Sequence, residues 1–215
     1  MCTRYIAPDQ AALERAWHIG RHNQPKWAEN VFPRARGPFL RPNAAGTLEL
    51  VVGRWGLIPG WAKTPELKFA TMNCRSEEAA RKPAFRDAWR QEQRCIIPAW
   101  SFDEPCWETG RNVWWRFRRA DGCLWGLAGL WSSWIDRATG EVLESYTMLT
   151  CNADGHPLMG RMHKPDPHLP SDRQDKRSVV AIEIDDLDRW FHGSCQDVLP
   201  LLCPPEPDRL VGEPL

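Results

Sequence analysis

Apolar residues in this chain come in short alternating runs, and proline or glycine cuts nearly every one of them. Leu48, Leu50 and Val52 alternate with other positions and lead into Trp55-Gly56-Leu57-Ile58-Pro59-Gly60-Trp61. Alternation with period two is the mark of a strand with one buried face. Cys95 to Pro98 forms a second short apolar strand. Val113, Trp115 and Phe117 form a third, and Asp121-Gly122 is expected to turn it into Leu124–Leu130 as a hairpin. Tyr146–Cys151 and Ser178–Ile184 read as further strands.

Helical patterns are few. Pro8-Asp9 ahead of Leu13, Ala16, Trp17 and Gly20 reads as a capped amphipathic helix. Ser76 is expected to cap a run from Glu77 to Arg81 that Pro83 stops, with another helical piece around Phe85, Ala88 and Trp89. Asp185 or Asp186 should cap a helix through Trp190. Residues 23–46, with Pro25, Pro33, Pro38, Pro42 and Gly46, are expected as loop or irregular edge structure. The expectation is one compact α+β domain over residues 1–203, a curved or barrel-like, mostly antiparallel sheet with a few flanking helices. Residues 204–215, rich in Pro and Glu, are expected as a weakly ordered tail.

Composition narrows the partners. The 215 residues suit one domain with a full core, and no apolar run is long enough to span a membrane. The N-terminus has no apolar signal core, so a cytoplasmic protein is expected. Twenty-eight basic and 28 acidic side chains cancel, which argues against a broad surface for coating polyphosphate but leaves room for a local groove. Eight cysteines without any C-x-x-C spacing speak against a zinc ribbon or a thioredoxin motif. No disulfide framework, metal or small-molecule cofactor is expected, and the chain is expected to act as a monomer. Of the 13 tryptophans most should be core, with a few rings free to stack on bases.

Cys2 stands out by position. Once Met1 is removed it carries a thiol and a free α-amine on one residue. Their reference pKa values, roughly 8.5 and 7.7–8.0, leave both partly available near neutrality. The amine can attack an aldehyde to give an imine, and the thiol can close on the same carbon to give a thiazolidine. That closure gains from held geometry. The plain alternative is a start codon followed by a small residue.

The chain opens Met1-Cys2-Thr3-Arg4-Tyr5 and continues through Asn30-Val31-Phe32-Pro33, the Trp55–Trp61 segment and Asn73-Cys74-Arg75-Ser76-Glu77. Arg94-Cys95-Ile96-Ile97-Pro98-Ala99, Phe102-Asp103-Glu104, Thr150-Cys151-Asn152-Ala153, His163 and Arg177-Ser178-Val179-Val180 follow. In this order, roughly residues 1 to 200 resemble the SOS response-associated peptidase (SRAP) family, the abasic-site processing proteins. The resemblance implies covalent capture of abasic sites in single-stranded DNA by Cys2, after a loss of Met1 described in the family as autocatalytic. It also implies action in the DNA damage response, close to the nucleoid.

Residue by residue, it implies that Cys2 is the nucleophile and that Asn73 positions the sugar and the N-terminal residue. Glu104 would be the acid/base group, and His163 would assist ring opening and crosslink reversal. Arg4 and Arg75 would hold phosphates, while Asn30, Pro33 and Trp61 would lie on DNA-facing segments. On the residues alone, Asn73 could serve a turn, Glu104 a solvated loop, the arginines surface ion pairs and Trp61 the core. His156 and His168 compete with His163. The chain departs from the family pattern at Thr3, Cys74, Trp100-Ser101 and Pro105, and in the longer polar segment from Asp166 to Lys176. Two other classes remain: an N-terminal-nucleophile peptidase or amidohydrolase with the Cys2 amine as base, and a non-covalent single-strand binder.

Overall fold

The computed structural model describes residues 2–19 and 24–215. Met1 and the expected helix end at Gly20 lie outside them. Among the described residues, twelve strands and three helices build the domain. In chain order they are β1 Arg4–Ile6, α1 Gln10–Trp17, β2 Asn30–Val31, β3 Arg36–Pro42, β4 Leu48–Trp55 and β5 Asn73–Arg75. Then come α2 Arg86–Arg90, β6 Arg94–Ala99, β7 Ser101–Cys106, β8 Val113–Arg119, β9 Trp125–Ile135 and β10 Val142–Asn152. The chain finishes with β11 Arg177–Val179, α3 Leu187–His192 and β12 Leu210–Pro214. The expected α+β fold with a mostly antiparallel, barrel-like sheet is what forms.

Strands β10, β4, β3, β6 and β9 run in order, and β9 pairs back onto β10, closing a small barrel. β10 also pairs in parallel with β5 at Met148–Asn73, Leu149–Cys74 and Thr150–Arg75. A second sheet, β12-β8-β7-β1-β2, lies against the barrel. Trp100 is the single residue between β6 and β7, where the chain leaves one sheet for the other. Tyr5, Phe102 and Phe117 from the second sheet pack with Trp125, Tyr146 and Met148 from the barrel, and Cys2 is part of this core. Phe102 sits 5.3 Å from the Phe117 ring and 6.0 Å from Trp125.

Helix α1 forms as its sequence indicates. The Asp9 carboxylate accepts from the Ala12 N–H at 2.7 Å, and Leu13 is buried. Buried Arg94 satisfies the C-terminal carbonyls around α3, donating to Trp190 O at 3.0 Å and Gly193 O at 2.7 Å.

Five local expectations are corrected. Within residues 23–46 lie β2 and all of β3, a barrel strand. Pro38 and Pro42 occupy alternate positions, so their missing donors face one side, and β3 meets β6 there through a single register pair, Leu40 with Ile96. The hairpin across Asp121-Gly122 does not form: β8 pairs with β7 and β12, β9 with β6 and β10. Residues 125–130 are buried on both faces and need cover that a two-stranded ribbon cannot give. After Ser76 only one 3-10 turn forms, Ser76–Glu78, with no side-chain cap. β11 stops at Val179, followed by an isolated bridge from Ala181 to Leu127 and a 3-10 turn at Ile184–Asp186.

Last, residues 210–214 are a strand and not a weakly ordered tail. Leu210 is buried, and Leu210 to Pro214 pair along β8 from Arg119 to Trp115. The open edge of β8 gives these residues hydrogen bonds and a core contact that composition does not reveal.

Candidate active site around Cys2

Strand β1 places the N-terminal residue. Tyr5 pairs with Phe102 and Arg4 with Asp103, which brings Cys2 beside the end of β7. The Cys2 side chain is fully buried, its Sγ donating to the Arg4 carbonyl at 3.3 Å. Across the site, β5 presents Asn73, whose Nδ2 donates to the Cys2 carbonyl at 2.7 Å. The Asn73 Oδ1 is buried without a hydrogen-bond partner among the described residues. Burial pushes the Cys2 thiol far above its ordinary range, and the nearby Glu104 charge pushes it further. Both effects favour the protonated thiol.

Glu104, also fully buried, lies on β7, and its Oε2 is hydrogen-bonded to His163 Nε2 at 2.8 Å. His163 holds a left-handed backbone conformation, φ +65°, uncommon for a residue with a side chain. Both of its backbone polar groups are fixed. Its N–H donates to Pro105 O at 2.6 Å, and its carbonyl accepts from Lys176 Nζ at 2.7 Å. Burial lowers the Lys176 pKa, with the Asp154 charge acting against it. Among the competing histidines, His156 has a structural task. Its Nδ1 accepts from Leu158 N and Met159 N, and its Nε2 meets Pro205 O at 3.0 Å. His168 is exposed in the segment beyond.

Two grooves border this centre. One, about 880 Å³, is lined by Thr3, Arg4, Phe32, Pro33, Arg111 and Trp114, among others. The other, about 720 Å³, is lined by Trp61, Phe69, Asn73, Arg75 and Lys82, among others. Trp61 is half exposed and stacks on Phe69 at 6.5 Å, its Nε1–H donating to Pro83 O at 3.0 Å. Asn30 is exposed on β2, two residues before Phe32. Arg4 and Arg75 both carry carboxylate partners, Asp103 at 2.9 Å and Asp175 at 2.6 Å.

The nine residues singled out in the sequence thus divide. Cys2, Asn73, Glu104 and His163 gather at one centre. Arg4 and Pro33 face one groove, Trp61 and Arg75 the other, and Asn30 stands on the adjoining edge strand.

Sequence reasoning missed three neighbours. Asp103 is buried between Arg4 and Arg116, whose Nε reaches its Oδ1 at 2.9 Å and whose Nη2 reaches its Oδ2 at 3.1 Å. Two adjacent acids in an otherwise apolar strand, Phe102-Asp103-Glu104, were the available signal. Lys176 and Asp175 lie in the long polar segment and carried no local signal. Among the described residues no helix is long and apolar enough to cross a membrane.

A family model described as SOS response associated peptidase (SRAP) matches residues 1–214. The abasic site processing protein YoqW of Bacillus subtilis is 33% identical over 126 residues, 57% of this chain and 54% of that protein. The abasic site processing protein HMCES of Gallus gallus is 26% identical over 176 residues, 62% and 51% of the two chains. The chain spans about half the length of these curated relatives. A solved Bordetella bronchiseptica structure superposes with a TM-score of 0.86 at 36% identity, covering 100% of this chain and 99% of its own. A Bacteroides thetaiotaomicron structure, at 21% identity and TM-score 0.79 over 100% and 92% of the two chains, shares the fold. With one family model spanning nearly its whole length, the chain belongs to the SOS response associated peptidase (SRAP) family.

Proposed function

We propose that this protein processes abasic sites in single-stranded DNA by covalent capture through Cys2, shielding them from strand cleavage during the response to DNA damage. The observation that carries the reading is the convergence on Cys2 of Asn73, bonded to its carbonyl, and of the buried Glu104–His163 pair. Burial disfavours the thiolate of Cys2, which favours attack by the α-amine first. The ring-opened sugar aldehyde and the amine lose one water and form an imine. The thiol then adds to the imine carbon while its proton passes to nitrogen, closing a thiazolidine. Glu104, whose charge is felt at the thiol, is the group placed to relay that proton. His163 assists opening of the sugar ring and reversal of the crosslink.

The amine must be free, so Met1 leaves first. The Cys2 thiol can itself attack the Met1 carbonyl, turning the amide into a thioester and freeing the amine. Water then hydrolyses the thioester. The grooves supply aromatic faces and arginines for the flanking strand. The reading takes the protein to act as a monomer in the cytoplasm, close to the nucleoid.

Intact-mass analysis after mixing Met1-free protein with an abasic single strand tests this. The expected product has the summed mass less one water, survives denaturation and is absent with an intact strand. Cys2→Ala should abolish it, and Cys2→Ser should leave at most a hydrolysable imine. No Cys2-dependent adduct would end this reading.

A further inference from the structure

Arg75 is half exposed in the groove beside Asn73, yet in the free protein its guanidinium is engaged. The Asp175 carboxylate bridges two arginines. One oxygen meets Arg75 Nη2 at 2.6 Å, and the other accepts from Arg177 Nη1 at 3.0 Å. The two arginines differ in freedom. Arg177 is almost fully buried and locked on Glu77 at 2.6 and 2.9 Å and on Thr150 O at 2.9 Å. The Arg75 side chain is 43% exposed, with Asp175 as its ion-pair partner.

Asp175 is itself held in place. It sits at φ +53°, and its N–H and that of Lys176 donate to the Asp154 carboxylate at 3.2 and 2.8 Å. Two oxygens of one anion, each on a different guanidinium, are also what two non-ester oxygens of a phosphodiester would offer. Arg75 can turn away to a phosphate while Asp175 keeps Arg177, so the exchange moves side chains and leaves the backbone where it is.

We infer that Asp175 is a built-in stand-in for a backbone phosphate: it occupies Arg75 until a DNA strand displaces it, and so sets strand affinity at this groove. The inference rests on the proposed DNA-binding role of Arg75. When a phosphate takes over Arg75 the strand releases a condensed cation, but the Asp175 carboxylate left behind attracts one, so the net release is reduced. The unmodified protein should therefore show a weaker salt dependence than one whose Arg75 is free.

The test is fluorescence anisotropy of an intact, labelled single-stranded oligonucleotide with the full Met1-free chain at several salt concentrations. Asn keeps the size of Asp and tolerates positive φ, so Asp175→Asn should fold. It should bind about fivefold tighter at low salt, the scale of a partly exposed ion pair. The slope of log affinity on log salt should steepen by at most about 0.7, the value of one single-strand phosphate contact. In an Arg75→Gln background the same change should do nothing. Asp172→Asn, removing an exposed carboxylate from the same segment, should change affinity less than twofold. Unchanged or weaker binding by Asp175→Asn, an equal gain from Asp172→Asn, or a gain that survives Arg75→Gln overturns the inference. An intact strand has no aldehyde, so these outcomes are independent of Cys2 chemistry. Absence of the Cys2 adduct would instead overturn the capture reading.

Discussion

Glu104 acts on Cys2 in two opposed ways, and one substitution separates them. Its negative charge opposes thiolate formation, on top of the burial that already disfavours it. In the proposed capture reaction its oxygen is also the relay for the proton the thiol must lose during ring closure. Glu104→Gln should therefore make the Cys2 thiol more acidic yet slow adduct formation by about 10²-fold, the lower range for a lost acid/base group. Alkylation of the Cys2 peptide followed by mass spectrometry reads the first effect, and single-turnover adduct formation the second. If both rates rise together, Glu104 is only an electrostatic brake. The four central residues were legible only through the family resemblance that the ordered motifs carry; on the residues alone Asn73 and Glu104 had plainer readings and His163 competed with His156 and His168. Their fixing partners were not legible. Lys176 holds the His163 carbonyl across a thirteen-residue separation, and Asp103 meets Arg4 only once β1 and β7 are paired. No local pattern encodes either contact.

Among the elements, β3 shows what close crossing of strands demands. Gly37 lies where the Tyr5 and Tyr146 hydroxyls meet at 2.5 Å, and a methyl group there would overlap both oxygens. Tyr5 belongs to β1, the strand that delivers Cys2. Gly37→Ala should cost about 1–3 kcal/mol through overpacking and should also slow adduct formation by displacing β1. Urea unfolding at constant m-value measures the first part, and an unchanged midpoint would show that the crossing has slack. Strands with one buried face were readable from alternation, as β4 and β8 were. Strands buried on both faces, or interrupted by proline, were not. β3 reads as loop because Pro38 and Pro42 remove donors, and only the partner geometry reveals that both donors were dispensable. The stretch from Leu124 to Leu130 reads as the second arm of a hairpin because turn chemistry at Asp121-Gly122 is local. The choice of sheet is made by burial on both sides.

At the scale of the whole molecule, the cysteines that looked like small hydrophobes set an alkaline limit. Burial raises the thiols of Cys2, Cys74, Cys95 and Cys151, the last to about 12 from an ordinary 9.0. Below about pH 8 both folded and unfolded chains keep nearly all these protons, and the thiols contribute little to pH dependence. Above it the unfolded chain releases them while the native state does not, so stability must fall as pH rises. Each group adds a slope approaching about 1.4 kcal/mol per pH unit, and four together approach the scale of a domain's net stability within one or two units. Tyr5 and Tyr146, raised by the same burial, extend the loss above pH 10. Denaturant midpoints measured from pH 7 to 10.5 should be level up to about pH 8, begin to fall near the unfolded thiol pKa and then drop steeply. Cys95→Ala should flatten that drop by about 1.4 kcal/mol per unit, because it removes one fully buried thiol away from the reacting residue. A level profile to pH 10.5 would mean that the buried thiols reach solvent in the native state. That would also undo the argument that Cys2 enters the reaction protonated, with its amine attacking first.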